Sequence, residues 1–400
     1  MADWISRDRV IGFRLAAHNL TARLDEDRLI DAAGRCGVQD SPPGSALLAL
    51  HARVVGVTRE RLAAAIGREK SLLQTWCMRG APFSFPTVDA PVFTTGVLPA
   101  DEQAMRHLIP GVEQAVDSLG MSLSEAVELT AAEIREVLTG RALAITDLGA
   151  EVAQRIASEL PSWQRERWEQ EGPYAAGQPL GEAVVHFCLR ILTLRQLVCF
   201  APRTGNKAPF VLVDEWLGGP LPQVDPATAR AELLRRYLHC YGPSTRADFA
   251  AWLGLRARDV APWWNLVEDE LAQVEFAGKA WMLAEDLDAL RSAAMPSGVR
   301  LLPPRDPYTQ LRDRHTVVDP DRQRAIWKTI GEPGAVLVDG EIAGSWRPHK
   351  GGRKLTLTIS TFGPVTGRNS RLLQEEAEQL APLRGASAVD VRLQSYGADA

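Results

Sequence analysis

The stretch from Ala229 to Leu283, ARAELLRRYLHCYGPSTRADFAAWLGLRARDVAPWWNLVEDELAQVEFAGKAWML, decides the fold class. Its first fourteen residues space their apolar side chains for a helix and end at Gly242, a residue suited to the turn that follows a helix. Ser244 and Thr245 then offer hydroxyls to start RADFAAWLGL, which Gly254 closes, and a third helix begins near DVAPWWN. Glu275 to Leu283 turns about Gly278 as a short hairpin. Helix, turn, helix and hairpin in that order is the pattern of a winged helix.

The same order recurs on the N-terminal side with no exact sequence repeat. Arg7 to Leu24 and Arg28 to Cys36 have helical spacing, and the next segment is GVQDSPPGSALLALHARV. There Asp40 or Ser41 is expected to cap a helix that takes Pro42 and Pro43 into its first turn and runs through Leu47 to Val54. Thr58 caps RERLAAAIG, and beyond Gly67 the chain reads as a hairpin ending in FSFPT. Further along, helices up to TLRQLVCF lead into VCFAPRTGNKAPFVLV, where Thr204, Gly205 and Asn206 make the turn. After Val299 the proline-rich RLLPPRDPYTQLRDRH gives way to AVLVDGEIAGSWRPHKGGRKLTLTISTF, which alternates like hairpins with turns at DG and GG. A helix from Ser370 to Leu383 and a strand from Ala388 to Leu393 finish the chain. The expected fold is α+β and mainly helical: tandem winged-helix domains at 1–105, 106–222 and 223–298 in a curved array, then a β-rich region at 299–400 with a basic hairpin.

The composition, 46% hydrophobic and 24% charged, is that of an ordinary globular protein. The chain shows neither a run of about 18 apolar residues nor a signal-peptide pattern, so a cytoplasmic protein without membrane attachment is expected. Five cysteines (36, 77, 188, 199 and 240) form no CxxC pair and lie at no zinc-finger spacing; they read as reduced core thiols, and neither a metal nor a cofactor is expected.

A net charge of -5 argues at first against a nucleic-acid partner, yet the charge is segregated. Residues 51–80 hold six Lys or Arg against Glu60 and Glu69, and residues 342–374 hold no acid at all. Basic residues on a wing or hairpin tip are placed to meet a phosphate backbone, which nominates Arg203 and Lys207, and Arg347, Lys350, Arg353 and Lys354 around Gly351 and Gly352. Each of these turns is also what a solvated, solubilising hairpin looks like.

Two further places can carry chemistry. At Gly37-Val38-Gln39-Asp40 a polar pair stands beside a helix start, where a carboxylate can stabilise a developing sugar cation and an amide can hold water; plain helix capping explains Asp40 equally. His51, about 16 Å farther along that helix axis, is expected to be out of reach. Arg305, Asp306, Arg312, Asp313, Arg314 and His315 alternate in charge, a pattern that suits intramolecular pairing or else contact with a DNA backbone or, for Asp306, Arg312 and Arg314, support of a site. GxxxxGK[ST], GxGxxG before a helix and GxSxG are absent, which removes P-loop hydrolysis, dinucleotide redox chemistry and serine-hydrolase chemistry.

In VQDSPPGSALLALHAR, LLQTWCMRGAP, LLPPRDPYTQLRDR and VLVDGEIAGSWRP the chain resembles the winged-helix DNA glycosylases of the AlkZ/YcaQ type. The resemblance implies tandem winged helices around double-stranded, damaged DNA and removal of alkylated purines, in some members from interstrand crosslinks. It also implies a catalytic loop of Gln, an apolar residue, then Gln or Asp. Laid on this chain, the loop falls on Gly37, Val38 and Gln39, so the second and third places agree and the first is glycine. Gln39 would orient water and Asp40 would stabilise positive charge, in a monofunctional enzyme acting as a monomer with no lysine nucleophile. A winged-helix regulator that binds DNA without chemistry is the alternative.

Overall fold

The computed structural model describes residues 4–205 and 207–397; Asn206, expected in the second hairpin's turn, lies outside them. Tertiary contacts gather the α+β chain into two units that are discontinuous in sequence: Met1–Leu62, Leu234–Trp252 and Val267–Ala400 form one, and Ala63–Leu233 with Leu253–Leu266 the other.

The first unit is built on a five-stranded sheet, ordered Ala388–Ser395, Lys354–Thr361, Glu341–Gly351, Gly334–Val338, Val299–Leu302. All pairings are antiparallel except the last strand, which lies parallel to Lys354–Thr361 after the crossover helix Gly367–Leu383. The DG turn is as expected: Asp339 (φ 51°) and Gly340 (φ 88°) both take the left-handed backbone that a tight hairpin requires. Along Glu341–Gly351, burial alternates with the pleat up to Trp346, and then every residue from Arg347 to Lys354 is exposed. The hairpin therefore leaves the core at Trp346 and projects its basic tip into solvent.

Helix Arg7–Ala17 packs through Val10 and Phe13 on the hairpin Leu271–Glu275/Lys279–Leu283 and on Leu290. This helix is shorter than the spacing suggested, because His18 ends it and Asn19 turns with φ 56°. Helix Ser45–Arg53 is buried at every position, against strand Val299–Leu302 and helix Gly367–Leu383. It starts later than expected: Gly44 has φ 90°, which no helix residue adopts, so Pro42 and Pro43 stand in the preceding turn rather than in the first helical turn. Thr58 does cap its helix, accepting from Arg61 N–H at 3.1 Å.

The second unit holds helices Leu123–Leu138, Ile145–Glu159 and Leu180–Leu194 packed together, with two hairpins, Leu72–Trp76/Pro82–Pro86 and Val198–Phe200/Phe210–Leu212. Trp76 joins the hairpins, its ring 5.5 Å from Phe200 and 5.2 Å from Phe210. Among the described residues no helix is long and apolar enough to cross a membrane.

Candidate functional site

Four left-handed or extended backbone positions build the loop between helices Leu29–Gly34 and Ser45–Arg53. Gly37 turns the chain with φ 71°, Val38–Gln39 run extended, and Gly44 turns it again. An L side chain at Gly37 would be strained, so the glycine at the first place of the expected catalytic loop is the residue its backbone demands. Gln39 is 2% exposed. Asp40 accepts from the backbone N–H of Gly44 (2.8 Å) and of Ala46 (3.2 Å), which fixes its carboxylate at the start of the following helix. The capping role is thus filled, and the same bonds hold the carboxylate in one orientation.

The helix that follows is fastened to RDPYTQLRDR by a buried ion pair. Arg53 (2% exposed) donates from both terminal nitrogens to Asp306 (0%), at 2.8 and 2.7 Å, and Asp306 also accepts from Tyr308 N–H at 2.9 Å. The second aspartate of that segment takes another buried arginine: Arg14 Nη1 donates to Asp313 at 2.8 Å, while its other nitrogens donate to the carbonyls of Gly242 and Pro243. The two aspartates of 305–315 are therefore paired, but to arginines about three hundred residues away for Asp313 and somewhat fewer for Asp306, not to their neighbours. Arg312 and Arg314 remain as two half-buried cations. Burial first, and then the charge of Arg314, lowers the Arg312 pKa; burial also lowers that of Arg314, which stacks 4.7 Å over Trp327. Glu332 lies nearby, its carboxyl pKa raised by burial, and accepts from Arg305 N–H at 3.1 Å.

His51 is buried in the same helix, its Nε2 without a hydrogen-bond partner among the described residues. Burial, then the charges of Arg23 and Arg300, lowers its pKa from 6.5 to about 4. Those arginines both meet Glu376: Arg23 at 2.8 Å, Arg300 at 3.5 Å. Because the folded pKa lies below the unfolded one, the unfolded chain takes up a proton between pH 6.5 and about 4 that the folded chain refuses, so stability falls as pH falls through that window. We expect roughly 2 kcal/mol to be lost from this group between pH 7 and pH 5. Urea unfolding of wild type and His51→Gln at both pH values checks it; parallel losses in the two proteins would assign the pH dependence elsewhere.

The nominated DNA contacts divide between the units. Arg347, Lys350, Arg353 and Lys354 share the projecting hairpin of the first unit, where Arg347 donates to Gly331 O (2.7 Å), Arg353 to Ser387 Oγ (3.2 Å), and Lys354 pairs with Asp390 (3.5 Å). Arg203 and Lys207 sit in the second unit, on the hairpin that Thr204 and Lys207 close by exchanging backbone hydrogen bonds.

One cluster escaped the sequence. All five cysteines are buried thiols, and two of them, Cys36 and Cys240, meet His18 in the core of the first unit. A hydrogen bond from Cys240, and after it His18 and then the charge of Arg53, pull the Cys36 thiol well below its ordinary range against the cost of burial, while Cys240 is pushed up. No spacing motif marks the trio, since its members come from three separate helix ends.

A family model described as DNA glycosylase AlkZ-like matches residues 33–383. An interstrand DNA cross-link repair glycosylase of Streptomyces sahachiroi is 26% identical over 375 residues, covering 91% of this chain and 92% of that protein. The solved structure of the Streptomyces sahachiroi DNA glycosylase AlkZ is similar in fold, with a TM-score of 0.76 at 24% identity, over 98% of this chain and all of that one.

Proposed function

The chain belongs to the DNA glycosylase AlkZ-like family, and from that premise we propose that it hydrolyses the N-glycosidic bond of cationic N7- or N3-alkylated purines in duplex DNA, bulky adducts and interstrand crosslinks included. The observation that carries the reading is the family match over 33–383, which takes in the Gln39 loop, the Asp306 segment and the basic hairpin. The cross-link repair activity in the name of the Streptomyces sahachiroi relative supports the wider substrate range.

The chemistry suits a sparse site. An alkylated purine already carries positive charge and leaves readily, so the protein has to hold the lesion, place a water and stabilise the sugar cation. In this reading Gln39 orients the water with its amide, and Asp40 presents a carboxylate preorganised by the Gly44 and Ala46 N–H groups toward the oxocarbenium-like carbon. Asp306 supports the loop by holding Arg53 at the far end of the next helix. Arg312 and Arg314, desolvated and mutually repelling, gain most from an anionic partner, and we assign them to the DNA backbone. No lysine takes part, and the products are a free base and an abasic site.

The tandem winged-helix organisation at 1–105, 106–222 and 223–298, with 299–400 as the β-rich remainder, belongs to the same proposal. Its support is that each of the hairpins Leu72–Pro86, Val198–Leu212 and Leu271–Leu283 follows a set of helices. We take the protein to act as a cytoplasmic monomer on the nucleoid.

Incubation with duplexes holding N7-methylguanine, N3-methyladenine or a purine crosslink, followed by alkaline cleavage and denaturing electrophoresis, tests the activity. Strand breaks at the lesion are expected; tight, operator-selective binding without breaks would favour a DNA-binding regulator instead. For the hairpin, Lys350→Ala should weaken binding uniformly across sequences and reduce the slope of log affinity against log salt by about 0.9. Lys354→Ala should do less, because Asp390 already neutralises that lysine. Fluorescence anisotropy over a salt series separates the two, and an unchanged slope for Lys350→Ala would remove the hairpin from the interface.

A further inference from the structure

Three soft donor atoms converge in the core of the first unit, apart from the Gln39–Asp40 pair. His18 follows helix Arg7–Ala17, Cys36 stands at the end of helix Leu29–Gly34, and Cys240 lies in helix Pro226–Tyr241. One ligand atom from each lies within 4.8 Å of the other two, and the residues are 1%, 4% and 0% exposed. His18 Nδ1 is 4.0 Å from Cys36 Sγ, at the limit of a hydrogen bond, and its Nε2 is buried with no hydrogen-bond partner among the described residues. Nδ1, the nitrogen beside the cysteines, therefore has only a sulfur at the edge of hydrogen-bond range as its partner, and a coordinate bond at Nδ1 would be far stronger. The His18 ring is held edge-on between Tyr241 and Tyr308, with centroids 5.0 and 5.6 Å away. The Tyr241 hydroxyl donates to Pro307 O at 2.7 Å and has Cys36 Sγ as a second acceptor 3.8 Å away.

We propose that His18, Cys36 and Cys240 hold one zinc ion, with a water as its fourth ligand, at the base of the Gln39 loop. Two sulfurs and one imidazole nitrogen form a donor set that suits zinc and offers nothing to magnesium or calcium, which demand oxygen. Charge decides among the soft ions. Zn²⁺ with two thiolates and a neutral imidazole is electrically neutral, as a low-dielectric core requires, whereas Cu⁺ with the same ligands would bury a net negative charge. On binding, both thiols lose their protons to solvent, two Zn–S bonds and one Zn–N bond form in place of three of the ion's waters, one water stays to complete the tetrahedron, and no redox change occurs. The ion ties together three elements far apart in sequence, and because Cys36 directly precedes Gly37 it anchors the first residue of the loop. The inference stands whether or not the chain is a glycosylase.

The test is metal content of the full chain, expressed in zinc-supplemented medium, dialysed and analysed by plasma mass spectrometry. About one zinc per chain is expected, and exchange with Co²⁺ should give the thiolate-to-cobalt charge-transfer absorption and the visible bands of a tetrahedral site. Cys36→Ser and Cys240→Ser should each lower the zinc content at least about fivefold, while Cys188→Ser, buried elsewhere, keeps it. If the first two variants fail to fold, the cobalt spectrum of the wild type still decides. Folded wild type with less than about a tenth of an equivalent of zinc and no charge-transfer band overturns the site, as does full zinc retention in Cys240→Ser.

Discussion

Asp306→Ala is expected to destabilise the protein by about 3 to 5 kcal/mol, the cost of leaving a buried guanidinium without its carboxylate. Arg53 is almost fully enclosed, both of its terminal nitrogens donate to Asp306, and Tyr308 loses the acceptor for its N–H in the same substitution. Removing both charges is a different experiment. In Arg53→Met with Asp306→Ala the uncompensated charge is gone, so the double variant should recover much of the loss and be clearly less destabilised than the two single effects summed. Urea unfolding of the four proteins gives the cycle. A loss below about 1 kcal/mol for Asp306→Ala would mean that water reaches Arg53 and that the pair does not brace the loop's helix.

Gln39→Ala is expected to slow base release by about 10²-fold or more, with the roughly 0.5–3 kcal/mol stability loss usual for truncating a buried side chain. The side chain removed is an amide whose assigned task is to place the attacking water, and loss of one preorganised group of that kind commonly costs this much of the barrier. Asp40→Asn is the companion. It keeps an oxygen to accept from Gly44 and Ala46, so the cap survives and only the charge assigned to the sugar cation is lost. Asp40→Ala loses both and should also unfold at lower urea. Single-turnover rates with excess enzyme separate these outcomes. Wild-type rates in both Gln39→Ala and Asp40→Asn would move the chemistry to another part of the molecule even with the glycosylase function intact.

Local signals carried most of the elements. Gly242, Gly254, Thr58 and the DG turn at Asp339-Gly340 each act within a few residues of where they stand, and each marks a boundary the structure has. Where a boundary was misplaced, backbone conformation rather than hydrophobic spacing decided it: Gly44 at φ 90° excluded Pro42 and Pro43 from the helix, and Asn19 cut the first helix short. The candidate site was legible as residue types and opaque as partnerships. Asp306 stood out in RDPYTQLRDR, but nothing local ties it to Arg53, 253 residues away, and the nearby arginines were the natural partners on spacing alone. The His18, Cys36 and Cys240 cluster was invisible for the same reason, because its members converge only once three helix ends pack together. Gly37 was legible as a departure from an expected glutamine, and its reason, a left-handed backbone, is visible only in three dimensions.

The most direct measurement is mass-spectrometric quantification of free 7-methylguanine released from a methylated duplex by the folded wild-type chain, against a buffer control and Gln39→Ala. The account predicts release by wild type that grows in proportion to enzyme and time, with an equal number of abasic sites left in the DNA and a strongly reduced rate in the variant. Free base at the level of the buffer control, from folded protein that binds the same duplex, would contradict it.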